Sequence, residues 1–272
     1  GAYGIDLAML VVAADSGIMP QTEEHLRILE MLGVEHGIVV ITKADLVDEE
    51  TLELAELEIT EYLEGTSLEN APVVAVSSVT GRGIDQLVEA LTNIIPRVKE
   101  KEAGKVFRMY IDRIFNVKGL GYVVTGSVLE GSVRLADDLF LLPGKSKKVK
   151  IRNIERHGKP VDDVFQGDRA ALNLAGLKLE DYTRGMVLCN KQIEESQMID
   201  ATLKLFDPAT VLPVWSSVLF ISGTFDTAAR IHLLDKEELM PDESGLVQLH
   251  FSKPAILSVK FSTCCTIEIP GH

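Results

Sequence analysis

Near residue 100 the spacing of apolar residues changes period, and no single kind of sheet accommodates both halves of the chain. Up to about residue 97, strand-length apolar runs alternate with segments that repeat every three to four residues. The order is Leu7 to Ala13, a helix from about Thr22 to Leu32 stopped by Gly33, Gly37 to Ile41, a helix from about Asp48 to Leu63, Val73 to Val76, and a helix from Ile84 to Ile95 stopped by Pro96. Strands that alternate with helices predict a parallel, Rossmann-like α/β sheet. In the last helix Ile84, Leu87, Val88, Leu91, Ile94 and Ile95 form one stripe expected to pack on that sheet. After the charged connector Lys99 to Gly104 the runs are short, alternate with period two, and meet turn residues about every 8 to 12 positions, which predicts β-barrels or sandwiches. One such set spans about Lys105 to Cys189 and a second begins near Asp200, joined by the polar stretch Asn190 to Met198. The expected organisation is therefore an α/β domain over 1–100 and two β-domains over 104–190 and 198–272, with closure of the last one left open by its tail after Ser258.

Charge divides along the same line. The net charge of −14 lies entirely in residues 1–100, which hold 5 Lys+Arg against 19 Asp+Glu, whereas residues 101–272 hold 22 of each sign. Within the second part, Lys145, Lys147, Lys148, Lys150, Arg152, Arg156 and Lys159 have only Glu155 among them as an acid. A cluster of that density can neutralise several phosphates of an RNA strand, although a solvated hairpin face explains it equally well. The three cysteines, Cys189, Cys264 and Cys265, make neither an even disulfide set nor a paired CxxC zinc site, so a reducing, cytoplasmic setting is expected and no metal is assigned. No apolar run approaches the roughly 18 residues of a membrane span, so no membrane partner is expected.

The apolar run Ile38 to Ile41 delivers Thr42-Lys43-Ala44-Asp45 to its tip. An aspartate has two acceptor oxygens spaced to match the N1 and N2 donors of guanine, a pair that adenine lacks, and a lysine stem can lie along the base plane. Alone the tetrapeptide is weak evidence, since Lys and Asp are ordinary turn and cap residues. A second apolar run, Val73 to Val76, ends in Ser77-Ser78-Val79-Thr80-Gly81 before the next helix, and small residues there let backbone amides approach the O6 edge of a guanine. Together these loops make half of a nucleotide site. No G-x-x-x-x-G-K-[ST] loop is present, and residues 1–100 hold no Asp-x-x-Gly segment, to grip phosphates or a magnesium water, and the chain opens directly into its first strand, so it reads as a fragment without catalytic residues of its own.

In the first β-region Phe107, Met109, Ile111, Arg113 and Phe115 share strand parity, which puts Arg113 on an apolar face. Either it meets an anion there or it snorkels out at a rim. Arg169 opposes the leucines of its strand and is expected on an open surface. His25 reads as a helix-surface residue, Trp215 as a packed or interface aromatic, and Gly119, Gly121 and Gly126 as tight-turn positions.

With these segments in order the chain resembles the selenocysteine-specific elongation factor family, and more distantly elongation factor Tu and the γ subunit of archaeal and eukaryotic initiation factor 2. The resemblance rests on GIDLAMLVVAADSGIMPQTEEHLRIL, ITKAD, VSSVTGRGI, YIDRIFNVKGLGYVVTGSVLEG and QGDRAALNLAG. It implies a partial P-loop GTPase domain followed by two elongation-factor-type β-barrels. It also implies GTP or GDP with Mg2+ as cofactor of a complete member, and delivery of selenocysteinyl-tRNA to a ribosome at UGA codons. By motif, Thr42, Lys43 and Asp45 with Ser77, Ser78 and Val79 would meet guanine. Asp112, Arg113 and Arg169 would form the selenol pocket, where a selenolate, unlike a serine hydroxyl, suits arginines. Lys145, Lys147, Lys148, Lys150 and Arg152 would meet the tRNA backbone. The family's phosphate loop, switches and water-positioning histidine find no counterpart after residue 1, so this chain by itself is expected to bind nucleotide weakly or not at all and not to hydrolyse it. A generic carrier of aminoacyl- or initiator-tRNA is the alternative within the family, and a GTP-independent β-barrel scaffold is the alternative outside it.

Overall fold

The computed structural model describes residues 5–98, 104–144, 147–206 and 210–257. The expectations for most of the charged connector, for Lys145, for Cys264 and Cys265 and for the tail after Ser258 fall outside the described residues. The chain divides into two compact units, essentially residues 4–101 and 102–272.

The first unit is a parallel sheet, β1 (Ala8–Ala13), β2 (Gly37–Thr42) and β3 (Val73–Ala75), in sequence order, with helices α1 (Pro20–Met31), α2 (Glu49–Leu63) and α3 (Ile84–Ile94) between and after the strands. Both faces of β2 are covered, as its unbroken apolar run requires. Val39 and Ile41 meet Leu26 and Leu29 of α1 and Leu52, Ile59 and Leu63 of α2, while Ile38 and Val40 meet Leu87, Ala90, Leu91 and Ile94 of α3. Pro20 starts α1 where a missing N–H costs nothing, and Asp48 caps α2 by accepting from the Thr51 amide at 2.9 Å.

The stripe expected on α3 is only partly used. Leu87, Leu91 and Ile94 pack, but Ile84, Val88 and Ile95 remain 39%, 57% and 59% exposed. The helix covers β2 and the end of β3, whereas Met9 and Val11, which stand beside Ile38 and Val40 in register on β1, stay open to solvent. A stripe broader than the two strands beneath it therefore overhangs.

The second unit begins with β4 (Arg108–Tyr110), β5 (Arg113–Val117), β6 (Gly121–Glu130), β7 (Ser132–Arg134), β8 (Asp138–Leu142), β9 (Lys147–Arg156), β10 (Lys159–Pro160), β11 (Asp163–Phe165), β12 (Arg169–Ala175) and β13 (Val187–Cys189). Six of these close a barrel in the order β9-β12-β6-β4-β13-β8, with β8 returning to β9. Phe107, Met109, Val124, Leu139, Ile154 and Leu172 fill it. Gly126 is not a turn glycine: a Cβ there would come within 2.0 Å of the Tyr110 carbonyl oxygen, so the residue permits close approach of β4 to β6. Gly119 and Gly121 do sit in the left-handed region, at φ 85° and 88°, in the β5–β6 turn.

The parity argument for Arg113 fails for a definite reason. Met109 pairs with Val128 of β6 but Arg113 pairs with Thr125, so one extra residue is accommodated on the 109–113 side. Such a bulge reverses which side faces inward. Phe107, Met109 and Ile111 are fully buried, while Arg113 is exposed and Phe115 is 43% exposed.

The remaining strands are β14 (Ser196–Lys204), β15 (Leu212–Pro213), β16 (Trp215–Ser222), β17 (Phe225–Leu233), β18 (Glu238–Leu239) and β19 (Ser244–Ala255). They form a four-stranded antiparallel sheet in the order β14-β19-β17-β16 and a small β15-β18 ladder. This sheet shares a core with the barrel, since Tyr110, Leu142, Val187 and Cys189 pack with Phe220, Phe225, Ile231 and Val247. The Tyr110 and Ser222 hydroxyls meet at 3.1 Å, and Gly223 leaves no room for a Cβ beside the Tyr110 ring.

Candidate functional site

Parallel strands bring their C-terminal ends to one edge of the sheet, where ligands of such sheets bind. At that edge the Thr42 hydroxyl donates to the Val12 carbonyl at 3.3 Å, and the Ala44 amide donates to Val76 O at 3.1 Å, so the tips of the three strands are laced together. Lys43 adopts φ 58°, in the left-handed region that a long side chain rarely occupies. Its ammonium donates to both carboxylate oxygens of Asp15, just beyond β1, at 3.0 and 2.9 Å. That hydrogen bond is the main reason the Asp15 carboxyl lies below its usual range. Motif reading did not foresee Asp15 beside Lys43, because the pair spans 28 positions and only a parallel β1–β2 register joins them.

Asp45 is exposed and, among the described residues, makes no hydrogen bond or ion pair. An unengaged carboxylate at the tip of β2 fits a ligand presenting two parallel N–H donors. In the facing loop Ser77 is fully buried, and its hydroxyl accepts from the amides of Val79 and Thr80 at 3.2 and 3.1 Å. Those two amides therefore point into the loop. The Ser78 amide makes no hydrogen bond among the described residues and remains available to an acceptor, while the Val79 side chain is 82% exposed. Gly83 closes this loop at φ 74°, where a Cβ would come within 1.9 Å of the Ala75 carbonyl oxygen. Arg82 forms a two-pronged ion pair with Glu49 at 2.7 and 2.9 Å, tying this loop to the start of α2. The residues present thus fit a guanine base. Among the described residues no group of three His, Cys, Asp or Glu side chains is placed to hold a metal ion. An open cleft of about 570 Å³ lies at the opposite strand ends, lined by Glu35, His36, Asn70, Glu89 and Arg97, and takes no part in this arrangement.

On the barrel, Arg169 donates to Asp112 Oδ2 at 2.6 Å, with Asp112 three-quarters covered and Arg169 mostly exposed. Arg113 and Arg169 stand on opposite flanks of β6, opposite Thr125 and Ser127 respectively, and both are exposed. Tyr182 lies close by. Burial raises its hydroxyl pKa, Asp112 adds a smaller push in the same direction, and Arg184 opposes them.

The basic run is less free than its sequence suggests. Lys147 pairs with Asp181, Lys148 with Asp138 at 2.8 Å, and Arg156 with Asp168 at 3.2 Å, all acids from other strands or turns. Among the described residues Lys150, Arg152 and Lys159 make no ion pair and are exposed.

The sequence of these domains has known counterparts. Residues 1–97 match the elongation factor Tu GTP binding domain and residues 121–189 match elongation factor Tu domain 2. The chain therefore belongs to the elongation factors of the Tu type, a GTP-binding domain followed by β-barrels. Within them it groups with the selenocysteine-specific elongation factors. It is 37% identical to that of Desulfomicrobium baculatum over 93% of this chain, and 35% identical to that of Escherichia coli (strain K12) over 95% of it. It spans about 40% of the length of each of these relatives. By comparison, elongation factor Tu 2 of Streptomyces avermitilis is 35% identical over only 69% of this chain, and the chain covers 50% of it. Among solved structures, a bacterial selenocysteine-specific elongation factor superposes with a TM-score of 0.80 at 31% identity, covering 93% of this chain and 41% of that one. The apo form of elongation factor SelB from Methanococcus maripaludis gives 0.83 at 26% identity, covering 95% and 60%.

Proposed function

We propose that this chain forms the base-reading part of the GTP site and the tRNA-clasping barrels of a selenocysteine-specific elongation factor, with residues 1–100, 104–190 and 198–272 as its functional divisions. The observation that carries the reading is the pairing of the unengaged Asp45 carboxylate with the free Ser78 amide on adjoining loops. Asp45 accepts the N1 and N2 hydrogens of guanine and the Ser78 amide donates to O6. Lys43, held by Asp15, walls one face of the base, and Thr42, Ser77 and Val79 hold the loops in shape. When bound, GTP with Mg2+ would supply the switchable phosphate that gates tRNA release, and phosphate and magnesium contacts fall to residues other than those described.

On the barrel, Asp112 orients Arg169, and Arg113 stands across β6 to complete a cationic site for the selenolate of selenocysteinyl-tRNA. Lys147, Lys148, Lys150 and Arg152 lie along β9 as contacts for the RNA backbone, with Lys150 and Arg152 the ones that make no ion pair among the described residues. The ribosome is the destination of the complex and the cytoplasm its setting. The test is a double substitution, Arg113→Ala with Arg169→Ala, in a full-length factor containing this chain. Preference for selenocysteinyl-tRNA over seryl-tRNA is expected to be lost, and an unchanged ratio removes the selenol assignment.

A further inference from the structure

Outside these sites, the outer face of the β14-β19-β17-β16 sheet carries a cluster that nothing above uses. Strand register sets it out in rows. Trp215, His232, Gln248 and Asp200 form one row across the four strands, and Ser217, Arg230, His250 and Met198 form the next. The Trp215 indole stacks on His232 with ring centres 4.4 Å apart and planes 10° apart, the Arg230 guanidinium lies 4.8 Å from the indole centre, and His250 lies tilted at 5.6 Å. Trp215 nevertheless remains 46% exposed. An indole stacked on its cross-strand neighbour is held in place before any ligand arrives, so a planar group stacking on it meets little ordering cost.

The charge around it selects the kind of ligand. A guanidinium and two imidazoles flank the indole, while two carboxylates of this sheet region are already engaged: Asp200 accepts from Gln248 Nε2 at 2.9 Å, and Asp235 accepts from the Leu246 amide at 3.2 Å. Met198 and Leu246, 50% and 52% exposed, continue the platform on the strands beyond. Exposed aromatic faces on a four-stranded sheet bordered by arginine suit unpaired bases and their phosphates, and the free oxygen of Gln248 offers an acceptor to a 2′-hydroxyl. We propose that this face is a stacking platform for single-stranded RNA, with an unpaired base on Trp215 and its neighbouring phosphate on Arg230.

Trp215 is the only tryptophan of the 272 residues, so its emission reports the platform directly. Titrating the protein with an oligouridylate is expected to quench that emission saturably. A labelled oligouridylate followed by anisotropy is expected to bind Trp215→Phe nearly as well as the parent and Trp215→Ala on the order of tenfold more weakly. Arg230→Ala is expected to weaken binding at all sequences and to lower the salt slope by about one. The inference stands apart from the guanine site, because uridylate carries no guanine and loss of nucleotide binding leaves this readout untouched. It is overturned if the oligouridylate leaves Trp215 emission unchanged, or if a fully base-paired RNA stem or an oligothymidylate binds as well. It is equally overturned if affinity is indifferent to Arg230, or if sedimentation shows a self-association abolished by Trp215→Ala, which would make the face a protein contact.

Discussion

Lys43 sits at φ 58°, a conformation that costs a non-glycine residue about 1–3 kcal/mol and persists only where the surroundings hold it. Here the surroundings are the Asp15 carboxylate on the side chain and the Ala44 amide bonded to Val76 O on the backbone. Asp15→Ala is accordingly expected to weaken guanine nucleotide binding severalfold in a full-length factor while leaving the preference for GTP over ATP intact, as competitive displacement of a fluorescent GDP would report. Gly83→Ala puts a methyl group against the Ala75 carbonyl in a left-handed turn and should destabilise the 4–101 unit by about 2 kcal/mol or more in urea unfolding. Cys189 gives an opposite kind of prediction. Burial pushes its thiol up to about 12, so below that pH the folded protein keeps it protonated and inert. Peptide mapping after alkylation at pH 8 should find Cys189 unmodified until the protein is unfolded. Between its ordinary value near 9 and the folded value, an unfolded chain loses the proton first, so this thiol favours unfolding as pH rises through that window. At this scale the position of Lys43 and Asp45 at the tip of β2 was legible because they follow one apolar run in the chain. Asp15 was not, since its role exists only once β1 and β2 lie side by side.

At the scale of elements, the helices and strands of the first unit follow from apolar period and caps to within a residue or two, with the 3-10 turn Ile95–Arg97 replacing the last residue expected of α3. What the pattern concealed is lateral. A 3.6-residue stripe does not say how many strands lie under it, so the exposure of Val88 was invisible, and a period-two count across Ile111 and Asp112 does not reveal the bulge that turned Arg113 outward. The Arg82–Glu49 pair is likewise a relation between elements. It fastens the loop after β3 to the start of α2, and thereby the Ser78 amide to the Asp45 loop. In a full-length factor Arg82→Ala is expected to speed nucleotide dissociation, and the exchange Arg82→Glu with Glu49→Arg to restore much of the loss. Equal rates in all three proteins would show that the pair does not position the loops. Glu49 and Asp15 both have lowered carboxyl pKa values through these lysine and arginine contacts. The stability they lend is therefore present at neutral pH and lost as pH falls below their ordinary values of 4.5 and 3.8.

For the whole molecule, the separation of charge was readable from the sequence but its consequence was not. The acidic surplus belongs to the 1–100 segment, and the basic run on β9 and β10 spends Lys147, Lys148 and Arg156 on acids brought in by the barrel, which leaves Lys150, Arg152 and Lys159 without an ion pair among the described residues. If β9 meets an RNA backbone, the Lys150→Ala and Arg152→Ala variants should each reduce the salt slope of tRNA binding by about one, and Lys148→Ala by less. The barrel and the last sheet share a core, so they should unfold together in a calorimeter. The central claim rests on one carboxylate, and the most direct measurement is nucleotide competition by a full-length factor with Asp45→Asn. The parent is expected to prefer GTP to ATP and xanthosine triphosphate, and the variant to exchange that preference for xanthosine triphosphate, whose base offers an acceptor where guanine offers its N2 donor. A variant that still prefers GTP, or a parent that prefers ATP, would contradict the account.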